Sequence, residues 1–145
     1  MKIVGFGDYL IHISPIGDER FLQTNLMEMS FTGAEANVCV ALSYWGEQVE
    51  FVTCLPENML AQKGIRFLKE FDMKTDHIPF CEGRMGTYYL ENGRSLLPSY
   101  VVYDRNDTAF TKSEFQDYNW NTILEDTECL YVSGITPNLS ENLFA

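Results

Sequence analysis

The chain is predicted to form an α/β fold in which helices flank a mostly parallel sheet and a small second sheet stands apart from it. Three observations carry this prediction. Short apolar runs that read as buried strands alternate with stretches of helical spacing, as right-handed β-α-β crossovers require. A tyrosine-rich, β-branched pair of segments with Asn92-Gly93-Arg94 between them interrupts that alternation and reads as a hairpin. The 145 residues, 46% of them hydrophobic, are about one domain's worth of chain and far too apolar for disorder.

The elements follow in order. Lys2 to Phe6 is a short apolar run closed by Gly7-Asp8 and suits a central strand. Tyr9 to Ser14, broken by Pro15 and Gly17, and Asn25 to Phe31 read as a partly exposed hairpin. From Gly33 the spacing turns helical, with Ala34, Asn37, Val38, Ala41, Leu42 and Trp45 on one face and Gly46 as the stop. Small residues there allow close approach to a sheet. Val49 to Leu55 is the next strand, Asn58 opens a helix with Leu60, Ile65, Leu68 and Phe71 on its apolar face, and Asp76 to Phe80 follows as a short strand. Arg84 to Glu91 and Pro98 to Arg105 form the tyrosine-rich hairpin. A polar helix over Ser113 to Leu124, the strand Cys129 to Ser133 and a helix entry capped at Ser140 complete the sequence. The barely begun last helix predicts that the sheet continues beyond residue 145.

Charge narrows the partners. Twenty-one acidic side chains against 10 basic ones give a net charge of -11, and the basic residues are scattered, which argues against nucleic acid and against an anionic membrane surface. No run of about 20 apolar residues and no signal-peptide pattern occurs, which points to a cytoplasmic protein. Cys39, Cys54, Cys81 and Cys129 have no C-x-x-C pairing and read as small buried thiols, not metal ligands. With only His12 and His77 present, a zinc site or a histidine triad has little to draw on.

Three sets of residues carry candidate chemistry. Asp8 sits at the carboxyl end of the first strand, where crevices of α/β sheets lie, and reads either as a hydrogen-bonder to a ligand or as a turn cap. Gly33, Ala34 and Asn37 open a helix whose N-H groups are approachable by a polar ligand, or whose small residues pack tightly on the sheet. Arg84, Tyr88, Tyr103 and Arg105 combine phenols and guanidinium groups on the hairpin, suited to a polyhydroxylated ligand with a carboxylate, or to cross-strand aromatic pairing. Gly5-Phe6-Gly7 lacks the third glycine and the helix of a dinucleotide site.

Gly7-Asp8, the block Phe31-Thr32-Gly33-Ala34-Glu35-Ala36-Asn37-Val38, Gly83-Arg84-Met85-Gly86, Tyr103-Asp104-Arg105 and Ser133-Gly134-Ile135-Thr136 together resemble the ribokinase-like carbohydrate kinases, in order and spacing. Within them the likeness is strongest to the 2-keto-3-deoxygluconate kinases. The resemblance implies phosphoryl transfer from ATP, with Mg2+, to the C6 hydroxyl of a small acid sugar. It also implies a β lid over about residues 9–32 and 83–106 that closes on the sugar and serves as a homodimer interface. Asp8, Gly33, Ala34 and Asn37 would line the sugar pocket from the sheet, and Tyr88, Tyr103 and Arg105 from the lid, with Arg105 as carboxylate partner. The alternatives are a kinase for a neutral sugar such as fructose or ribose, and a non-catalytic half-domain that binds sugar or another chain. Three positions depart from the family pattern: Asp72 replaces a helix-ending glycine, Ala61 replaces a common glycine, and Asp104 stands where relatives often carry a second tyrosine. The family's catalytic G-A-G-D block does not occur in these residues. The resemblance therefore implies an N-terminal portion, 1–145, that holds the acceptor side. The catalytic aspartate and most of the ATP site would lie outside it.

Overall fold

The computed structural model describes residues 1–144. Two sheets organise it. The central one has three parallel strands in the order β4-β1-β7, formed by β1 (Lys2–Phe6), β4 (Gln48–Val52) and β7 (Cys129–Tyr131). The small one has four strands in the order β3-β2-β5-β6, formed by β2 (Leu10–Pro15), β3 (Met27–Thr32), β5 (Gly86–Glu91) and β6 (Tyr100–Asp104). Both predicted hairpins are present, and they fuse through a parallel β2–β5 pairing in which Leu10 lies opposite Gly86 and His12 opposite Tyr88.

Helix α1 (Ala34–Tyr44) packs on the central sheet, but not by the face that its apolar spacing predicts. Glu35, Ala36 and Cys39 are buried, while Ala34 and Asn37 are exposed and Trp45 is 76% exposed. Close approach decides the orientation. A Cβ on Gly5 would stand 2.2 Å from Cys39 Sγ, so the slim stripe of the helix, not its bulkier one, meets β1. Helix α2 (Met59–Lys69) is capped by Asn58, whose side chain accepts from the Ala61 N-H, and it buries Ala61, Gly64 and Leu68. Ala61 thus fits within the core where a glycine was the expected residue. Leu60 remains 45% exposed, contrary to the predicted apolar face. After α2, Asp72 takes a left-handed conformation (φ 56°), the role expected of the glycine it replaces.

Other expectations are corrected. Residues 76–80 do not form a strand; isolated bridges pair Lys74 with Glu50 and Phe80 with Leu55, because Pro79 cannot donate to a ladder. The polar helix over 113–124 is instead three short helical turns, Ala109–Lys112, Phe115–Asp117 and Trp120–Ile123. The caps at Thr108, Glu114 and Asn119 restart it each time. The Leu55–Phe80 bridge brings Cys54 and Cys81 within 6.3 Å between Cα atoms, and they form a disulfide. Only Cys39 fits the reading of a buried free thiol, since Cys129 is exposed. Among the described residues, no helix is long and apolar enough to cross a membrane.

Two apolar clusters hold the fold. Tyr9, Ile11, Phe31, Phe51 and Leu68 join α1, α2 and the near end of the small sheet to β4. Val4, Phe6, Val52, Phe110, Tyr118 and Ile123 fill the other face. The small sheet is therefore anchored at Ile11 and Phe31, and its far end projects from the body.

Candidate functional site

The site assembles where the carboxyl end of β1 meets the base of the small sheet. Asp8 leaves β1 buried, and its Oδ2 has no hydrogen-bond partner. Arg105, just past β6, brings its Nε to 3.6 Å from that oxygen. This is an ion pair and not a hydrogen bond, so the guanidinium fork is not spent on Asp8. Burial pushes the Asp8 carboxyl up to about 6; Arg105 pulls it back, as does a hydrogen bond from the Tyr9 backbone, and the nearby Glu35 opposes ionisation.

The register of the small sheet places the remaining residues. Strand alternation sends Gly86, Tyr88, Tyr103 and Arg105 to one face, with Tyr88 opposite Tyr103 and the two rings 5.1 Å apart. Arg105 stands over the Tyr103 ring at 5.4 Å, a cation-π contact. Gly86 suits this place: a Cβ would meet Leu10 Cδ2 at 2.5 Å and Arg105 Cβ at 3.1 Å, so the absent side chain leaves room for the arginine stem. His12 lies in the same row, stacked 5.1 Å from Tyr88, with Nδ1 and Ser30 Oγ sharing a hydrogen bond at 2.9 Å and Nε2 buried without a partner. Burial lowers its pKa. A lone histidine in a strand carries no sequence signal that distinguishes it from a core residue, and sequence reasoning set it aside.

Gly33 serves both readings of its block. A Cβ there would approach the Asp8 carbonyl oxygen to 2.3 Å, so glycine lets α1 start against the Asp8 backbone. No side chain caps α1 at this end, and Ala34 is exposed beside it, which leaves first-turn N-H groups open at the positive end of the helix. One turn on, Asn37 Nδ2 donates to Thr32 Oγ1 at 3.2 Å and ties the helix to the small sheet. Gly33→Ala is expected to destabilise the fold by roughly 1 to 3 kcal/mol, because the clash is with backbone that cannot repack. Thermal unfolding measures the loss, and an unchanged melting temperature would show that the two segments part freely.

Thus Asp8, Gly33, Tyr88, Tyr103 and Arg105 come together, with Ala34 and Asn37 at the rim on α1. Arg84 does not join them. Its guanidinium donates to Asp104 Oδ1 (2.5 Å) and to the carbonyls of Asp104 (3.2 Å) and Asn106 (2.9 Å), so it clamps the two strands at the base of the sheet. Asp104 pairs with Thr87 in register and therefore points away from the Tyr103 and Arg105 face. Its departure from tyrosine alters this clamp and leaves the row facing Asp8 unchanged. Sequence reasoning also missed Glu35, a charged residue that the structure buries beside Asp8. A cavity of about 630 Å3, lined by Lys2, Glu50, His77 and Glu128 among others, opens at the amino end of the strands, opposite to where α/β sheets place their ligands.

Known proteins share this fold. The family model for the pfkB family carbohydrate kinases matches residues 2–145. A curated protein of Haloferax volcanii named 2-dehydro-3-deoxygalactonokinase is 35% identical over 142 residues, which is 98% of this chain and 44% of that protein. The crystal structure of 2-dehydro-3-deoxygluconokinase from Thermotoga maritima superposes with a TM-score of 0.96 at 40% identity, over 99% of this chain and 44% of the other. A pfkB family carbohydrate kinase from Listeria grayi gives a TM-score of 0.94 at 33% identity, over 99% and 45%. The chain thus spans less than half the length of these relatives. With the ribokinase-like pairing of a central parallel sheet and a projecting small one, and with the match running from residue 2 to residue 145, the chain belongs to the pfkB family of carbohydrate kinases.

Proposed function

We propose that the protein acts as an ATP-dependent kinase for a 2-keto-3-deoxy acid sugar, 2-keto-3-deoxygluconate in the first place, phosphorylating its C6 hydroxyl, and that these residues form the sugar-binding side. The observation that carries this reading is the buried Asp8 Oδ2, unpartnered and facing the Arg105 guanidinium. A carboxylate oxygen without a donor suits the hydroxyl groups of a sugar, and a planar fork 3.6 Å away suits a sugar carboxylate. The names of the Haloferax and Thermotoga relatives support the same substrate class.

ATP would supply the phosphoryl group, with Mg2+ neutralising its charge. Among the described residues no group of three or more His, Cys, Asp or Glu side chains converges. Their work is on the acceptor. Asp8 accepts hydroxyl hydrogen bonds, Arg105 holds the carboxylate, and Tyr88 and Tyr103 bring phenol groups over the sugar ring. Gly33, Ala34 and Asn37 close the rim with main-chain and amide groups. Holding the acceptor in one orientation is how such residues lower the barrier, by turning an encounter into a positioned attack.

The small sheet is proposed to close on the sugar as a lid. Its opposite face carries Met27, Met29, Tyr100 and Val102, each at least 37% exposed, which supports a homodimer through that face. Sedimentation of the full-length protein tests this, and a monomer at every concentration overturns it. The kinase reading is tested by coupling ADP formation by the full-length protein to the addition of 2-keto-3-deoxygluconate. Turnover with fructose or ribose alone would move the protein to the neutral-sugar kinases, and no turnover with any sugar would reject the activity.

A further inference from the structure

One buried carboxylate has no part in the sugar contacts. Glu35, in the first turn of α1, is 1% exposed, and no cation pairs with it among the described residues. A single oxygen, Oε1, accepts from the Ser133 N-H (2.9 Å), the Ser133 hydroxyl (2.6 Å) and the Thr136 hydroxyl (2.7 Å). Its other side lies against Gly7, where a Cβ would come within 2.2 Å of Cδ and Oε2. Three stretches far apart in sequence meet at this side chain: Gly7-Asp8 after β1, the start of α1, and the loop after β7. All three lie at the carboxyl ends of the strands.

Hydrogen bonding alone does not require this residue. A glutamine would accept from the same three donors and would avoid the cost of burying an ionised group, which is several kcal/mol in a dry interior. What glutamate adds is a negative charge beside Asp8.

We propose that Glu35 is a positioning residue for the acceptor sugar: it pins the Ser133–Thr136 loop to α1 and holds a buried charge against Gly7, next to Asp8, so that the Asp8 carboxylate relies on the Arg105 guanidinium beside it. A sugar whose hydroxyls bond the Asp8 carboxylate then favours its charged form near pH 6. The charged and titratable groups facing this centre are Arg105 from the end of β6, Glu35 from α1 and Tyr118 from the segment before β7; Cys39, one turn along α1, faces Glu35. Arg105 favours the Asp8 carboxylate and Glu35 disfavours it. The Cys39 thiol is pushed up to about 12, by burial and then by Glu35. The inference rests on the sugar-kinase reading for its purpose, but its NMR test does not.

The test is Glu35→Gln in the full-length protein. Carboxyl-carbon NMR of wild type and variant follows the Asp8 titration directly. The expected result is a midpoint lower by roughly 0.5 to 1 pH unit in the variant. Where the wild type phosphorylates the acid sugar, the acidic limb of kcat/KM moves down by the same amount, so that the variant's deficit shrinks by about 2- to 3-fold between pH 7.5 and 5.5. A purely structural residue would leave the limb in place, and an unmoved midpoint overturns the proposal. If Glu35→Gln does not fold, calorimetry on the wild type decides. Binding of 2-keto-3-deoxygluconate near pH 6, in two buffers of different ionisation heat, is expected to release protons, and no release overturns the coupling. A wild type that turns over no sugar rejects the kinase reading, while the NMR midpoint still judges Glu35.

Discussion

Asp8→Asn is expected to make the protein more stable at pH 8 and, on the proposed function, to weaken its hold on the acid sugar about 10- to 100-fold. Burial is the dominant influence on this carboxyl and lifts it from 3.8 to about 6. A carboxyl that holds its proton more tightly in the folded chain than in the unfolded one contributes stability that is fully present below pH 4 and is lost as the pH rises through 6. Above that point its ionisation costs on the order of 3 kcal/mol, from a shift of about two pH units. Asparagine removes the charge and keeps an oxygen for the Tyr9 backbone N-H. Its unmet amide and the loss of the Arg105 ion pair return part of the gain, so the net expectation is about 1 to 2 kcal/mol at pH 8 and none at pH 4. Thermal unfolding of wild type and variant at the two pH values measures it. For sugar binding the sign reverses, because a hydroxyl bonded to a carboxylate loses roughly 1.5 to 3 kcal/mol when the charge is removed, a 10- to 100-fold rise in KM. The wild type should show the same weakening as its own pH falls below 6. A variant that is neither more stable at pH 8 nor impaired in binding would show that Asp8 is solvated and idle.

This tension between stability and function also marks where the sequence could be read and where it could not. The strands were legible because burial on both faces demands continuous apolar runs, as in Ile3, Val4 and Phe6 or Val49, Phe51 and Val52. Asp8 and Arg105 were legible as separate candidates, since a polar residue at a strand's carboxyl end and an arginine ending a hairpin are local patterns. Their meeting was not, because it depends on β2 pairing in parallel with β5 across some seventy residues. Interactions that occupy a promising side chain were equally hidden. Arg84 has the same chemistry as Arg105, and only the nearby carbonyls of 104 and 106 decide that it clamps a strand base. The wrong face for α1 came from following the spacing of Ala34, Val38, Ala41 and Leu42, whereas the sheet at Gly5 meets the stripe that carries Cys39. Glu35 was missed for a related reason: charge normally marks the wet side of a helix, and its partners Ser133 and Thr136 lie about a hundred positions away.

Arg105→Ala should then separate the two kinase readings by a wide margin. In the full-length protein a bidentate contact to the sugar carboxylate predicts a loss of roughly 2 to 4 kcal/mol in kcat/KM for 2-keto-3-deoxygluconate, about 30- to 1000-fold, and much less for a neutral sugar. The substitution acts on Asp8 as well. Arg105 is what holds the Asp8 carboxyl down against burial, so its removal moves that group above 6 and shifts the acidic limb of the profile towards higher pH. Activity near neutrality is hit twice, once through the lost contact and once through a partly protonated Asp8, and raising the pH to 8 recovers only the second part. Arg105→Lys keeps a positive charge near Asp8 without the fork. It is therefore expected to leave the pH limb near its wild-type position while still losing most of the affinity for the acid sugar. Equal losses for acid and neutral sugars in Arg105→Ala, with no movement of the limb, would mean that Arg105 only supports the Tyr103 ring and that the carboxylate is held elsewhere.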